Sequence, residues 1–298
     1  MYENNGPIKK NNHVCPRCLL REWVTSEKGR EGVYVYEIPK EKYSFSTAVG
    51  SRAFSFAIKE FIYVPEIGGK RSNALEDWFG DFEGQLASFI NKIKSGKEGE
   101  QLIRGRNIQD VMEQLNKLLH AIFSLHHRNA HDLRLITKYL DENPHYKENI
   151  GVADTSNTEL LVLQNIVHST IELAIEYQLC DFLVMHNPSG NILLSDRLLF
   201  QEDATGQFIF PLSPYYLIAI SKSEGDVPSY RRDTLPDSMV DSYNKLIAGR
   251  ARDWMVSTKE HLLKQYAPLM KAHDENETPF YQEIKFLNQG IKFDPPKS

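Results

Sequence analysis

Apolar residues recur at helical spacing through much of this chain. Leu75, Phe79, Phe82, Leu86 and Ile90 share one helix face, with Asn73 and Glu76 spaced as a capping box at its start and Gly96 at its end. A second stripe, Val111, Leu115, Leu118, Leu119, Ile122 and Leu125, follows Asn107 and Asp110 and predicts helix in pieces to about Leu140. Ser156 and Glu159 form another capping box, ahead of Leu160, Leu163, Val167, Ile171 and Ala174–Ile175. Then the period changes. Asp181–His186 and Ile192–Ser195 read as strands joined by the turn Asn187–Asn191, and further strands are expected at Phe208–Phe210 and Tyr216–Ser221. Near the N-terminus Gly32–Ile38 alternates like a strand, and Glu60–Pro65 is a short strand stopped by proline. A long helical region is expected from Pro236 to Lys271. The pattern predicts an α+β fold, mainly helical, with a small antiparallel sheet in the C-terminal half covered by a pair of long helices. Residues 13–271 read as one domain, between a polar, disordered leader at 1–12 and a polar tail at 272–298.

Composition narrows the classes. The 298 residues are 41% hydrophobic, enough for a sizeable core, and carry a net charge of −5. An acidic balance argues against a protein that holds nucleic acid by non-specific electrostatics, though not against an enzyme that engages it briefly. Three cysteines do not make a disulfide framework, which points to a reducing cytoplasm, and no apolar run is long enough to span a bilayer.

Cys15-x-x-Cys18 with His13 suggests zinc, but a structural site needs a second ligand pair, and none is spaced for it. The two cysteines are expected to be packing residues. His120, His126, His127 and His131 fall in one helix, with His126 on the apolar stripe and therefore pointing inward. Arg128-Asn-Ala-His131 is too short for the Arg-x4–6-His spacing of a HEPN ribonuclease. Phosphate loops, dinucleotide fingerprints, zincin motifs and nucleophile elbows are absent from the sequence. The sharper candidate is Ser195-Asp196-Arg197, where a carboxylate ends an apolar strand and can cap a turn, pair with an arginine, or hold a metal or a proton. Glu76 and Glu83 lie two helical turns apart on one face, suited to a metal or to orienting an arginine.

The order His13, Pro16, Leu20, Arg21, Trp23, followed by Val-Tyr-Val-Tyr, resembles the opening of the bacterial family known as domain of unknown function 4238. Glu76 and Glu83, Ser195-Asp196 after a hairpin, Phe210–Pro214, Asn244 and Trp254 continue the family's order over roughly residues 13–256. This chain has Val14-Cys15 where the family has Tyr-Val, lacks the proline after Ser195-Asp-Arg, and carries His127-Arg-Asn-Ala in place of an Arg-Thr-Pro-like element. Members are associated with defence against phage, which implies an intracellular protein that senses infection or damages host or phage molecules. On that resemblance the expected activity is an effector hydrolase or nuclease acting on a nucleic acid or nucleotide. His13 would serve as general acid/base, Arg21 would stabilise a phosphoryl transition state, and Asp196 would orient the histidine or hold a divalent metal. Glu83 and Asn244 would be binding contacts, and a phage protein would be the trigger. The competing expectation is a non-enzymatic sensor in which the same residues form a structural polar network.

Overall fold

The computed structural model describes residues 7–50, 53–96, 108–145, 157–201, 206–223, 225 and 229–270. Its strands are β1 (Asn11–His13), β2 (Thr25–Glu27), β3 (Arg30–Glu37), β4 (Lys42–Thr47), β5 (Ile58–Glu60), β6 (Glu66–Ile67), β7 (Lys70–Arg71), β8 (Cys180–His186), β9 (Leu194–Ser195), β10 (Phe200–Gln201), β11 (Phe208–Ser213), β12 (Tyr216–Lys222), β13 (Tyr230–Thr234) and β14 (Trp254–Ser257). Its α-helices are α1 (Arg17–Leu20), α2 (Ala74–Lys94), α3 (Ile108–His127), α4 (Ala130–Glu142), α5 (Thr158–Glu176), α6 (Asp237–Arg250) and α7 (Glu260–Tyr266).

The α+β class holds, but the sheet is neither single nor confined to the C-terminal half. One five-stranded sheet runs β2-β3-β14-β9 with β4 on the other side of β3, and a second runs β10-β11-β12-β8-β13. In β3 the alternation buries Val33 and Val35 and leaves Tyr34 and Tyr36 half-exposed, where Phe45 and Tyr43 of β4 pack on them across the ladder. The second sheet is antiparallel except for β13, which lies parallel to β8. It receives the helices through ring contacts, Phe89 of α2 on Phe182 and Phe123 of α3 on Phe208. A continuous hydrophobic core links both sheets and the helices.

Three local expectations change, each for a tertiary reason. The helix expected over 236–271 is two helices with β14 between them. Ala251 turns out of the helical region (ψ 141), and Trp254–Ser257 slots between β3 and β9. The strands at 181–186 and 192–195 are not a hairpin. β8 pairs with β12 and β13, whereas β9 pairs with β14, so residues 187–193 carry the chain from one sheet to the other. Gly190 makes that crossing at φ +63, with the Tyr215 ring 2.6 Å from where a Cβ would stand. Lastly, Asn73 does not cap α2, because its side chain is committed elsewhere. Its Oδ1 accepts from the Lys9 N–H and its Nδ2 donates to the Pro7 carbonyl.

The segment expected as a loose leader is thus tied down from residue 7, and β1 pairs antiparallel with β5. The short strand expected at Glu60–Pro65 lies slightly earlier, as β5, and Phe61 at φ +53 ends it. Ser156, the tail at 272–298 and residues 1–6 lie outside the described residues. Asn157 caps α5 by accepting from the Leu160 N–H.

Candidate functional site

The break between α3 and α4 organises the polar interior. The two helical stripes are interrupted at Arg128-Asn129, and both residues are buried. Asn129 caps α4 by accepting from the Asp132 N–H, which turns the chain and sends the side chains of Arg128 and Asn129 into separate networks.

Arg128 faces the N-terminal segment. Its Nη1 donates to Glu83 Oε1 and its Nη2 to the His13 carbonyl, both at 2.8 Å, while the guanidinium lies over Phe79 at 4.2 Å and Tyr63 at 5.3 Å. The Tyr63 hydroxyl donates to the Arg128 carbonyl. Burial works to lower the Arg128 pKa, but Glu83, Tyr63 and Glu76 together hold it above its ordinary value. Glu76 and Glu83, two turns apart, therefore both act on one arginine. The His13 imidazole is held below its usual pKa by burial and by the charge of Arg17, so it is neutral at pH 7. Ala53 backbone bonds the ring, and Nε2 is buried without a partner.

Asn129 faces the other way. Its Nδ2 donates to Asp196 Oδ2 at 2.7 Å and to the Asp196 carbonyl at 3.0 Å. Asp196 Oδ1 accepts the Arg252 N–H at 3.0 Å. Burial, and then the neighbouring Asp253, push the Asp196 pKa up in spite of these bonds. Arg197, the next residue, donates to Asp132 in an ion pair.

The whole segment around Asp196 is held in place. Trp23 Nε1 donates to the Ile192 carbonyl, and the Ile192 N–H donates to the Pro214 carbonyl. Asn244 accepts the Leu193 N–H at 3.0 Å and donates to the Asn191 carbonyl at 2.8 Å. The Asp196 N–H donates to the Trp254 carbonyl. Trp23, Pro214, Asn244 and Trp254, scattered through the sequence, meet on residues 191–196.

Beside Asp196 opens a narrow cleft lined by His126, Asn129, Asp196, Arg197, Phe200 and Arg250; its enclosed part measures about 10 Å³, the room of one water. Burial is the main reason the His126 pKa falls to about 4, and the charges of Arg197 and Arg250 add to it. The imidazole is neutral through the physiological range and able to accept a proton.

The five residues singled out from sequence are thus divided. His13 and Glu83 meet on Arg128; Asp196 belongs to the adjoining network and lines the cleft; Asn244 holds the backbone just before it. Arg21 is exposed, and its side chain makes no hydrogen bond or ion pair among the described residues. The arginine paired with Glu83 is Arg128. Sequence reasoning weighed Arg128 only against a ribonuclease spacing and the family's Arg-Thr-Pro-like element, and passed over Asn129 and Arg250. The one available signal was a polar pair, Arg128-Asn129, in the gap between two apolar stripes. Burial pushes the Cys18 thiol up to about 11 and that of Cys15 well above its ordinary value, as fits packing residues. No group of three or more His, Cys, Asp or Glu side chains among the described residues could hold a metal ion. No helix among them is long and apolar enough to cross a membrane.

These features define an α+β chain in which one clamped crossing leads through β9 to a buried carboxylate, Asp196. The chain belongs to the family described as protein of unknown function DUF4238, whose model matches residues 11–261. No curated protein and no solved structure matches it.

Proposed function

We propose that this chain is a cytoplasmic effector of bacterial defence against phage. In this reading it hydrolyses a phosphate ester or anhydride in a nucleic acid or nucleotide at the cleft beside Asp196. One observation carries the reading: a neutral imidazole, a buried carboxylate and two guanidinium groups line one cleft on a rigidly held segment. His126 would take the proton of a water attacking phosphorus and return it to the leaving oxygen as the P–O bond breaks. Arg197 and Arg250 would offset the charge that builds on the phosphoryl oxygens. Asp196, bonded through both carboxylate oxygens, would fix the loop carrying Arg197. His13 and Glu83 act at one remove, through Arg128, and with Asn244 they set the position of the crossing. A phage protein would trigger the activity.

The test is expression in bacterial cells, with and without phage, followed by sequencing of RNA and DNA and mass spectrometry of nucleotides. Wild type should alter one of these pools and lower phage plating; His126→Gln should abolish both effects while keeping the melting temperature, and Arg197→Lys, which keeps the charge but loses the donor fork, should weaken both. Unchanged pools in infected and uninfected cells would sink the enzymatic reading. A second reading, a non-enzymatic sensor, is favoured by the bonds of Arg128 to Glu83 and His13 and of Asn244 to the loop before β9, which are what a structural network requires. It expects phage protection with every pool unchanged.

A further inference from the structure

Two arginines near the N-terminus face water one helical turn apart. α1 runs on into a 3-10 turn, Arg21–Trp23, and the Arg21 N–H donates to the Arg17 carbonyl. Leu19, Leu20 and Trp23 take the buried side of this turn, and both arginines are exposed. Neither guanidinium makes a hydrogen bond or ion pair among the described residues. The ground beside them is poor in acids. α1 packs on α2, which has no acidic residue from Gly84 to its end at Lys94, and Glu83 just before is committed to Arg128. Gly84, Ser88 and Asn91 lie on one exposed face of α2, and a Cβ added at Gly84 would meet nothing within 4 Å. Lys94 pairs with Glu22 at 2.7 Å, which ties the end of α2 to the arginine turn. Arg232 of β13 reaches the same end, where its Nη2 donates to the Ile93 carbonyl at 2.9 Å, and no carboxylate pairs with it among the described residues. Four cations and one acid, Glu22, leave this ground three net positive charges, on a chain whose total is −5.

We infer that Arg17, Arg21 and Arg232, with the adjoining face of α2, form a ridge that holds the phosphate backbone of a nucleic acid. An exposed guanidinium fork matches two oxygens of one phosphate, and serine and asparagine side chains commonly contact phosphates too. Side chains one helical turn apart start about 5–6 Å from each other. A strand advances about 3.4 Å per nucleotide, so the two arginines span phosphates one or two nucleotides apart. The small residues of α2 let the strand come close. None of these residues lines the Asp196 cleft, so the ridge is a binding surface separate from the proposed reaction, and it reads no base.

The test is fluorescence anisotropy of a labelled oligothymidylate mixed with the full chain over a series of salt concentrations. Affinity should fall with salt at a log–log slope of about −2, the value for three phosphate contacts on a single strand. Arg17→Ala combined with Arg21→Ala should weaken binding by on the order of tenfold at low salt and bring the slope to about −0.7. The melting temperature should stay, because both side chains are exposed. Lysine at both positions should retain most of the binding, and Lys42→Ala combined with Lys70→Ala, at exposed lysines elsewhere, should bind as wild type does. Absence of binding at low salt, a slope untouched by the arginine pair, or an equal loss from the lysine pair would overturn the ridge. Polyglutamate competing as well as unlabelled oligothymidylate of equal charge would overturn the nucleic acid as its partner in favour of an acidic polypeptide. Each of these results leaves the reaction proposed at the cleft standing, since a free nucleotide can reach the cleft without the ridge.

Discussion

At the scale of single residues, the structure gives two arginines opposite standing. Arg128 is buried and paired with Glu83, of which a third of the side chain is exposed. Removing one partner of a fully enclosed pair costs roughly 3–5 kcal/mol because it strands a charge. Here Glu83→Ala should cost less, about 2–3 kcal/mol in urea unfolding, since water can reach the vacated side. Arg21→Ala, at an exposed position without side-chain bonds among the described residues, should stay within about 0.5 kcal/mol of wild type in the same experiment. His126 gives a pH dependence whose sign follows from its depressed pKa. Between about 4 in the fold and the ordinary 6.5, the unfolded chain binds the proton and the native one does not. Stability should therefore fall as pH drops through that window and level off below about 4, the contribution of this residue being at most about 3 kcal/mol. The curve of melting temperature between pH 7 and pH 4 should be visibly flatter for His126→Gln. An unchanged slope would show that the imidazole is not buried neutral.

At the scale of elements, the turn between α3 and α4 does two jobs with one side chain. Asn129 caps α4 through Oδ1 and satisfies Asp196 through Nδ2. Asn129→Ala should therefore cost more than a cap alone, about 2–4 kcal/mol, adding a stranded buried carboxylate oxygen to the lost cap. Asn129→Asp would keep the cap and set a second carboxylate against Asp196, so its melting-temperature deficit against wild type should shrink as pH is lowered toward the carboxylate range. The helices α2, α3 and α5 were visible in the apolar stripes, because burial of one helical face leaves its period in the sequence. The break at residues 128–129 fell inside an expectation of helix in pieces, but its role was hidden. The partners of Arg128 lie 45 and 115 residues away, a distance at which spacing carries no information.

Across the whole molecule, the two sheets are joined by the crossing at residues 187–193, and the strand that completes the first sheet comes from far along the chain. β14 lies between β3 and β9, pairing Val256 with Val35 on one side and with Leu194 on the other. All four of its residues are buried. Native-state hydrogen exchange should find the ladder amides of β14 and its neighbour β3 among the slowest in the protein, close to global unfolding. Fast exchange at residues 254–257 would contradict a central strand there. The same wiring predicts that a defect at the crossing is felt in both sheets. Gly190→Ala, which meets the Tyr215 ring and loses its easy positive φ, should lower stability by about 1–3 kcal/mol in a single cooperative transition.

Local sequence sufficed for what local physics records. The alternation in Val33–Tyr36 and the stripes of α2, α3 and α5 each state which face is buried, and the ordered marks from His13 to Trp254 carry the family. Only the tertiary structure decided what each face meets. It inserted Trp254–Ser257 as a strand where the pattern read as helix, because pairing on both edges outweighs a weak local preference. It also placed Asp196 and its neighbour Arg197 beside His126 and Arg250, which lie on separate elements. A buried polar group is satisfied by whichever partner the fold brings within hydrogen-bond reach, and that partner's place in the chain leaves no periodic trace.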